Sequence, residues 1–434
     1  MGMMKAEIIA VGSELLTPEH IDTNSLYMVG ELNEAGWEVH HKAIVGDSIE
    51  DIVETIRIAL NRSDLVLLSG GLGPTEDDRT RAAAAQALGR SLHRSETILD
   101  ELRRRFAARG FTMTSINERQ ADVIDGAVVL DNPAGTAPGQ WLQDHGHYLV
   151  LLPGPPNELR KVFENDVRPK VRELADGRRL CRRSFHLIGV TESDLDARIA
   201  PLYTAYPHID TTILAGTRGI SVHLCRWIET GKTEGRATTA PAVAEDLEEL
   251  AAGIQAEMGD AIFSTSGEAL EEVVGRLLRK SGKTLAIAES CTSGMLGMTI
   301  TRVPGSSEYF RGGVLCYSND AKMKLCGVAS ETLDAHGAVS AQTAEELAQG
   351  VRAALGSDMG ISITGIAGPG GGSAEKPVGL VYIGLADGVH SEHHRRIVPG
   401  DREGIRERSA YLALSQLRRY LLHGQPVDVC RDSL

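Results

Sequence analysis

Hydrophobic residues in the first 176 positions fall into short β-branched runs that alternate with amphipathic stretches of helical length. Strands are predicted at AEIIAVG, WEVHHKAIVG and LVLLSGG, with helices at about 22–35 and 48–60 between them. The short strands VVLDN, GQWL and YLVLLPG follow, and a polar helix then runs over about 155–174. Strands that alternate with helices of this length predict βαβ crossovers and a parallel sheet.

The order of elements changes over residues 177–262. FHLIGV, a helix over about 192–202, the strands TTILAG and GISVHLCRWI, and a helix over about 241–258 predict a small α+β module. Between the last two strands, residues 216–219 have the GXXG pattern of RNA-binding KH domains. We predict a hairpin turn here, because an RNA-binding GXXG loop joins two helices rather than two strands.

Residues 263–434 return to alternating strands and helices. The amphipathic helix EALEEVVGRLLRKSG precedes the strand KTLAIAES, and GGVLCYSN, GISITG, GLVYIGLADG and SEHHRRIV are further strands. Helices are predicted between 320 and 355 and over about 402–422. The pattern is that of an α/β layer structure. The predicted fold class is therefore α/β, with three domains at residues 1–176, 177–262 and 263–434.

The balance of acidic and basic residues limits the classes of ligand that the protein can bind. The chain has 45 Lys and Arg against 59 Asp and Glu, a net charge of −14. This disfavours a general nucleic-acid binder, because such proteins neutralise phosphates with basic residues. No apolar run reaches the about 18 residues of a membrane span, and the six cysteines lie far apart without a C-x-x-C pair. We expect a cytoplasmic protein that binds small molecules and neither nucleic acid nor membrane.

The strand LVLLSGG runs directly into the glycine-rich sequence SGGLGPTEDDRT, residues 69–80. Ligands of α/β sheets lie beyond the carboxyl ends of the strands, where glycines let backbone N–H groups approach a phosphate. Two carboxylates follow and could hold a hard divalent cation. The alternative is a glycine-rich turn with an acidic helix cap. The candidate phosphate contacts are Gly70, Gly71, Gly73 and Thr75, and the candidate metal ligands are Asp77 and Asp78.

Two further polar residues belong to the same edge of the predicted sheet. AVGSELL is a second strand-end turn and places Glu14 at this edge, and DTNS looks like a helix cap. Capping of the helix N-terminus is sufficient to explain Asp22 and Thr23. For Asn24 a structural role and a role in the site are equally favoured.

In the third segment, the strand LAIAES ends on Glu289, Ser290 and Cys291 and enters a predicted helix that is rich in small residues, CTSGMLGMTITRV. A nucleophile at such a strand-to-helix elbow is exposed at the sheet edge, and the helix N-terminus supplies amide donors for an oxyanion. Cys291 is the stronger intrinsic nucleophile. Adjacent residues on a tight turn point in different directions, so only one of the two faces the site. The residues alone leave both open.

Two motifs could complete a site around Ser290. GGVLCYSNDAK places Tyr317 at a strand end and Lys322 in the first turn of the next helix, where a neutral lysine can act as the base of a serine. GISITGIAGPGGGSAEKPVG follows another strand, and its glycines suit an anion-binding turn. The candidate binding residues in that turn are Thr364, Gly365, Gly368, Gly370, Gly371 and Gly372.

These motifs occur in one order along the whole chain: AEIIAVGSELL, SGGLGPTEDDRT, NPAGTAPG, LPGPPNEL, AESCTSG, YSNDAK and SITGIAGPGGGSAEKPVG. In this the chain resembles the CinA family (competence/damage-inducible protein A) of bacteria. The resemblance implies a first domain like the molybdopterin-binding domains of molybdenum-cofactor biosynthesis proteins, folded as an α/β sandwich. It implies a middle KH-type domain without RNA function and a carboxyl-terminal nicotinamide-nucleotide amidase domain.

The resemblance also implies two activities and a set of roles. The third domain would convert nicotinamide mononucleotide to nicotinic acid mononucleotide and ammonia without a cofactor, with Ser290, Tyr317 and Lys322 as the catalytic residues. The first would hydrolyse the pyrophosphate of ADP-ribose with a divalent metal ion. One departure is Thr17-Pro18-Glu19, where many members have a glycine-containing turn. We expect a homodimeric salvage enzyme; the alternative is a competence-related or molybdopterin-binding scaffold whose first domain is not catalytic.

Overall fold

The structure is a computed structural model that describes residues 4–175, 177–229 and 244–424. Within these residues the strands are β1 Lys5–Val11, β2 Glu38–Val45, β3 Leu65–Ser69, β4 Leu92–Arg94, β5 Asp122–Ile124, β6 Val128–Leu130, β7 Gly139–Asp144, β8 His147–Leu152, β9 Arg178–Leu187, β10 Asp210–Gly216, β11 Gly219–Glu229, β12 Ile262–Ser264, β13 Leu285–Glu289, β14 Phe310–Leu315, β15 Met359–Gly365, β16 Leu380–Ala386 and β17 Ser391–Ile397.

The helices of the same residues alternate with these strands. They are α1 Thr23–Glu34, α2 Ile49–Leu60, α3 Thr80–Leu88, α4 Glu96–Ala108, α5 Pro156–Val162, α6 Arg168–Leu174, α7 Glu192–Tyr203, α8 Glu245–Met258, α9 Leu270–Ser281, α10 Met295–Thr301, α11 Asn319–Cys326, α12 Ser330–His336, α13 Ala341–Leu355 and α14 Arg402–His423. A π-helical turn joins α5 to α6. The start near residue 241 predicted for α8 lies outside the described residues. None of the described helices is both long enough and apolar enough to span a bilayer.

The first sheet has the strand order β2-β1-β3-β8-β7-β6. Its strands β1, β2, β3 and β8 are parallel, as predicted, whereas β7 and β6 run antiparallel. The difference from an all-parallel sheet arises at His145 and Gly146, both with positive φ, which form a two-residue turn between β7 and β8. A turn of that length can join only antiparallel strands.

Both faces of this sheet are covered by helices. The core on one face includes residues of α2 and α3, and the core on the other includes residues of α1, α5 and α6. The central strands are therefore apolar throughout, and β3 is buried along its whole length. Trp37 is fully buried and donates from Nε1 to the Val171 carbonyl at 2.8 Å. The carboxyl ends of β1, β3 and β8 meet at one edge, because these strands are parallel.

The second sheet has the order β10-β11-β9-β12. The GXXG residues form the predicted hairpin turn, with Gly216 paired with Gly219 between β10 and β11. β12 pairs antiparallel with β9 through Ile262 and Leu187. The boundary predicted at 262/263 therefore falls inside a strand of this sheet, because a three-residue strand is too short to be recognised from its pattern.

The third sheet has the order β14-β13-β15-β16-β17. β13 lies between β14 and β15 and is parallel to both, so Glu289 at its end lies opposite Leu315 and Ile363. Helices α9, α10 and α14 contribute to the core on one face, and α11 and α13 contribute to the core on the other. The residues that follow β13, β14 and β15 are thereby brought to a single edge.

The described residues form two compact units. One holds the residues up to Cys181 with 227–229, and the other holds Arg182–Arg226 and the residues from Ala244 onward. Within the second unit, Ile188 lies in the same core as Leu270. Residues 182–226 therefore share a core with the third segment, and the division into three domains remains a prediction.

Candidate active site

The elbow after β13 is a turn of five residues. The Ser290 N–H still donates to the Ile363 carbonyl at 3.0 Å, so this residue keeps the register of the sheet. The chain then reverses through Ser293 and Gly294, with φ of 49° and 93°. α10 begins only at Met295. The helix predicted to start at Cys291 therefore starts four residues later, because two left-handed residues separate it from the strand.

The end of β13 also carries a buried acid, Glu289, which is 1% exposed. Its carboxylate accepts from the backbone N–H groups of Gly294 at 3.0 Å, Leu296 at 3.1 Å and Gly297 at 2.9 Å. These are the amides at the start of α10, and Glu289 already accepts from them. The expectation that the elbow supplies donors to an oxyanion stays a prediction, and it falls on the amides that precede the helix. Glu289 was not predicted as a site residue. The available signal was a lone acid at the end of an otherwise apolar strand.

Two amides of the elbow remain free. In the part of the chain that the structure describes, the N–H groups of Cys291 and Thr292 donate to no acceptor on another residue. Both follow Ser290 directly, so they are the backbone donors nearest in the chain to its hydroxyl. Such donors suit an oxygen that gains negative charge when a neighbouring hydroxyl attacks a carbonyl.

Lys322 lies in the first turn of α11, as predicted, and is 1% exposed. Its Nζ is 3.2 Å from Ser290 Oγ, 2.8 Å from the Cys316 carbonyl oxygen and 3.4 Å from the Tyr317 carbonyl oxygen. Burial lowers the pKa of the Lys322 ammonium below its ordinary value, because the charged form loses its hydration. The structure thus brings together a serine hydroxyl and a lysine that loses its proton more readily than an exposed lysine does.

Cys291, the alternative nucleophile, has a different environment. Its side chain is 6% exposed and belongs to the apolar core of the third sheet with Ile287 and Leu296. Burial raises the pKa of the Cys291 thiol to about 11. The thiolate is the reactive form of cysteine, so this thiol is a poor nucleophile at neutral pH. Of the two neighbours, it is Ser290 that contacts Lys322.

Tyr317 lies beyond the end of its strand and not at the strand end, where the sequence predicted it. β14 ends two residues earlier, and the ring of Tyr317 is 62% exposed. Its carbonyl oxygen contacts Lys322, whereas its hydroxyl accepts from Arg402 Nη2 at 3.5 Å. The structure records no contact between this hydroxyl and Ser290. Tyr317 therefore stands at the rim of the site.

The predicted anion-binding turn divides into structural and available parts. Thr364 donates its hydroxyl proton to the Ala338 carbonyl at 2.6 Å. A Cβ on Gly365 would lie 2.8 Å from the Leu380 carbonyl oxygen, so both residues serve the packing of the fold. Further along, the N–H groups of Gly368, Gly370, Gly371 and Gly372 have no acceptor among the described residues. Gly370 also has no atom near its Cβ position.

Two arginines of α14 reach this region and were not predicted. Arg402 donates from Nη1 to the Gly368 carbonyl at 2.6 Å, and Arg406 donates from Nη2 to the Thr292 carbonyl at 3.0 Å. Their spacing of four residues puts them on one face of the helix. Nothing in a single sequence distinguishes this pair from the other arginines of α14.

In the first unit, the loop after β3 packs so closely that its glycines are required by the fold. A Cβ on Gly70 would lie 2.2 Å from the Val11 carbonyl oxygen, and one on Gly71 would lie 2.2 Å from Thr80 Oγ1. Gly70 and Gly71 have φ of 105° and 66°, which disfavours other residues. The N–H of Gly71 has no acceptor among the described residues and stays available to a ligand.

The two aspartates of this loop have separate roles. Asp78 accepts from the Gly73 N–H at 2.8 Å and from the N–H and hydroxyl of Thr75 at 2.9 and 2.5 Å, so it braces the loop. Asp77 is exposed. Neither caps α3, whose N-cap residue is Arg79. Asp78 is engaged in the loop, and a hydrogen bond from the Thr75 side chain lowers the pKa of the exposed Asp77 carboxyl. Metal binding by this pair stays a prediction.

The residues present do not form a metal cage by themselves. Over residues 4–175, 177–229 and 244–424, no three His, Cys, Asp or Glu side chains are grouped as metal ligands would be. They fit only the mode in which Mg²⁺ keeps several waters and is held by one or two carboxylates and substrate phosphates.

The structure also shows the surroundings of Asn24 and Glu14, whose roles the sequence left undecided. Asn24 donates from Nδ2 to Ser69 Oγ at 3.0 Å and to the Gly154 carbonyl at 2.7 Å. It thereby ties α1 to the ends of β3 and β8, which is a structural role. Glu14 lies in the exposed turn after β1.

The chain is similar to known proteins in both of its α/β segments. Residues 267–421 match the family described as "CinA C-terminal domain", and residues 7–173 match "Probable molybdopterin binding domain". The CinA-like protein of Koribacter versatilis is 46% identical over 423 residues, 96% of this chain and 100% of the relative. That of Solibacter usitatus is 46% identical over 416 residues, 96% and 98% of the two chains.

A solved structure, CinA from Thermoplasma acidophilum, is 30% identical and covers 39% of this chain and 98% of its own, with a TM-score of 0.37. The curated relatives match along their whole length, and the fold is mixed α/β with a molybdopterin-binding-like first segment. On this similarity the chain belongs to the CinA family.

Proposed function

We propose that this protein hydrolyses the carboxamide of nicotinamide mononucleotide to nicotinic acid mononucleotide and ammonia, with Ser290 as the nucleophile. The observation that carries the proposal is the contact of Lys322 Nζ with Ser290 Oγ at 3.2 Å in a buried position. A serine paired with a lysine that can be neutral is a known solution for acyl transfer. The substrate is the one that the family resemblance implies.

The hydrogen bonds of Lys322 support its role as the base. A neutral amine has two N–H donors and one lone pair. The carbonyl oxygens of Cys316 and Tyr317 can accept the two protons, which leaves the lone pair for the Ser290 hydroxyl. An ammonium in the same place would direct a proton at Ser290 and could not activate it.

The reaction then proceeds in two stages. Ser290 Oγ attacks the carboxamide carbon while its proton passes to Lys322, and the N–H groups of Cys291 and Thr292 are positioned to donate to the oxyanion. Collapse of this intermediate breaks the C–N bond, and the proton on Lys322 goes to the departing ammonia. Water, activated by Lys322, hydrolyses the resulting ester, which releases the carboxylic acid and restores the hydroxyl of Ser290.

The direct test is to incubate the purified full chain with nicotinamide mononucleotide and to measure ammonia and nicotinic acid mononucleotide, expected in equal amounts. Ser290→Ala should abolish both products, whereas Cys291→Ala, the matched neighbour, should keep most of the activity. Thermal unfolding of both variants checks that the fold survives. Loss of activity in Cys291→Ala alone would overturn the assignment.

We propose metal-dependent hydrolysis of ADP-ribose as a second activity, in the first unit. The supporting observation is that the loop after the buried strand β3 offers both the free N–H of Gly71 and the exposed carboxylate of Asp77. A divalent cation bound there would supply charge neutralisation for the pyrophosphate. In this chain, Asp77 would hold the cation. The N–H groups of the loop would contact the phosphates.

The test compares the two aspartates. Asp77→Asn should abolish formation of AMP and ribose 5-phosphate without changing the unfolding temperature. Asp78→Asn should lower the unfolding temperature, because an amide NH₂ would face the N–H donors of Gly73 and Thr75. Hydrolysis that persists in excess chelator would refute the metal requirement, and hydrolysis that persists in Asp77→Asn would refute Asp77 as the metal ligand. Absence of hydrolysis by the wild type would leave the first unit as a binding scaffold.

A further inference from the structure

Two buried thiols take no part in the proposed reaction: Cys316, which follows β14, and Cys326, the last residue of α11. These cysteines are 0% and 3% exposed, belong to one apolar core of the third sheet, and are not joined in a disulfide. The Cys326 thiol donates a hydrogen bond to the sulfur of Cys316. The two sulfurs are therefore in contact, and a disulfide would require them to approach to about 2.0 Å.

Cys316 also connects the two halves of the candidate amidase site. Its N–H at 2.9 Å and its thiol at 3.4 Å both donate to the carbonyl of Glu289, the residue before Ser290. Its own carbonyl oxygen accepts from Lys322 Nζ at 2.8 Å. Lys322 and Cys326 are four residues apart on α11 and therefore lie on one face of that helix. A bond between the two sulfurs would thus shift the base relative to the serine.

The hydrogen bond between the thiols gives them different reactivities. It lowers the pKa of the Cys316 thiol, which accepts it, and raises the pKa of the Cys326 thiol, which donates it. Because the thiolate is the form that attacks an oxidant, Cys316 reacts first and Cys326 lies in contact with the product. The burial of both sulfurs admits a small oxidant such as hydrogen peroxide and excludes a bulky one such as oxidised glutathione.

We propose that hydrogen peroxide joins Cys316 and Cys326 in a reversible disulfide and that this bond inhibits the amidase. The inhibition rests on the proposed function, whereas the disulfide does not. The Cys316 thiolate attacks one peroxide oxygen, the O–O bond breaks, and the released hydroxide takes up the thiol proton as water. The Cys326 sulfur then attacks the sulfenic sulfur of Cys316, the S–O bond breaks, and a second water carries away the Cys326 proton. The thiols lose two electrons, peroxide gains them, and a dithiol reductant reverses the oxidation.

The experiment treats the purified full chain with hydrogen peroxide or with oxidised glutathione, and then with dithiothreitol. Trypsin cleaves after Lys322 and Lys324, so the two cysteines fall on separate peptides, 312–322 and 325–352. After peroxide and alkylation of the remaining free thiols, mass spectrometry should find these two peptides joined. Ammonia release should fall by about 10-fold to 100-fold, because a displacement of about 1 Å can cost about 10²-fold in rate. Dithiothreitol should restore it, and oxidised glutathione should have no effect.

Cys316→Ser keeps a donor to the Glu289 carbonyl and removes the thiol that reacts first. Measured against its own untreated activity, this variant should lose less than about twofold in peroxide, because serine forms no sulfenic acid. Cys225→Ser is the matched control, since Cys225 lies on β11 of the second sheet, and it should respond to peroxide as the wild type does.

The peptide map of the wild type tests the disulfide whether or not the variants fold. Peptides that stay separate after peroxide would overturn the inference, and so would joined peptides with undiminished ammonia release. Inhibition that persists in Cys316→Ser, or that oxidised glutathione causes equally, would also overturn it. Absence of deamidation by the untreated wild type would instead overturn the proposed function, and the peptide map would still decide whether the two thiols form the disulfide.

Discussion

Replacement of Lys322 by methionine separates the role of its amine from its role in packing. The two side chains have similar length, so Lys322→Met keeps the buried volume and removes the atom that lies 3.2 Å from Ser290 Oγ. A general base typically contributes about 10²-fold to 10⁴-fold to the rate. At about 1.4 kcal/mol per tenfold, the activation barrier should rise by about 3–5 kcal/mol.

The stability of the same variant depends on two opposing effects. The carbonyl oxygens of Cys316 and Tyr317 lose a donor, and an unsatisfied buried acceptor costs about 1–3 kcal/mol. In the wild type, the lowered pKa of Lys322 destabilises the fold at neutral pH, because the unfolded chain binds the proton more tightly. The variant is free of that cost. The two effects oppose each other, so the unfolding temperature should fall less than the loss of the donor alone would lower it.

The assay is steady-state ammonia release across pH, with thermal unfolding of each protein. The matched control is Lys324→Met, two residues along the same helix, where the lysine is exposed and pairs with Asp320. It should retain wild-type activity. If Lys322→Met keeps more than about a tenth of the wild-type kcat, Lys322 is not the base. If the loss lies in KM alone, Lys322 binds substrate and the base must be another group.

The remaining predictions concern the pH dependence of the reaction, Glu289, Tyr317 and a carboxyl-terminal fragment of the chain. In the wild type, kcat/KM should rise with pH through an apparent pKa below the ordinary lysine value, because burial lowers the pKa of Lys322 and its neutral form is the active one; a flat profile from pH 6 to 10 would contradict this. Glu289→Gln should lower both kcat and the unfolding temperature with KM unchanged, since an amide cannot accept from all three N–H groups; normal kcat would refute a positioning role. Tyr317→Phe should reduce the rate less than Lys322→Met, and an equal reduction would show that the hydroxyl transfers the proton. A fragment that begins at Ser266 should deamidate but unfold at a lower temperature than one that begins at Arg182, because it lacks β12 and the core contact of residue 188; equal unfolding temperatures would show that the third segment is complete without them.

Much of the fold follows from patterns that are local in the chain. Apolar β-branched runs and helical periodicity predicted the strands and helices of both α/β segments, because backbone conformation depends mainly on neighbouring residues. The GXXG residues were correctly predicted as a hairpin turn from the strands on either side. Strand-end motifs also predicted that Ser290 and Lys322 would meet, since parallel strands bring their carboxyl ends to one edge.

The direction of each side chain at that edge was decided by the tertiary structure. Left-handed residues in the elbow leave the Ser290 hydroxyl at Lys322 and the thiol of Cys291 in the core. Asp78 turns into its own loop, and Glu289 satisfies the start of α10. These outcomes depend on turn dihedrals that the residue types permit but do not require.

Contacts between distant parts of the chain were also beyond the local pattern. Arg402 meets a carbonyl 34 residues away and a hydroxyl 85 residues away. β12 pairs with a strand that ends 75 positions earlier, and its three residues carry no periodicity of their own. The physical reason is the same in each case. Periodicity shows which face of a helix or strand is buried, but it does not show which distant element packs against that face.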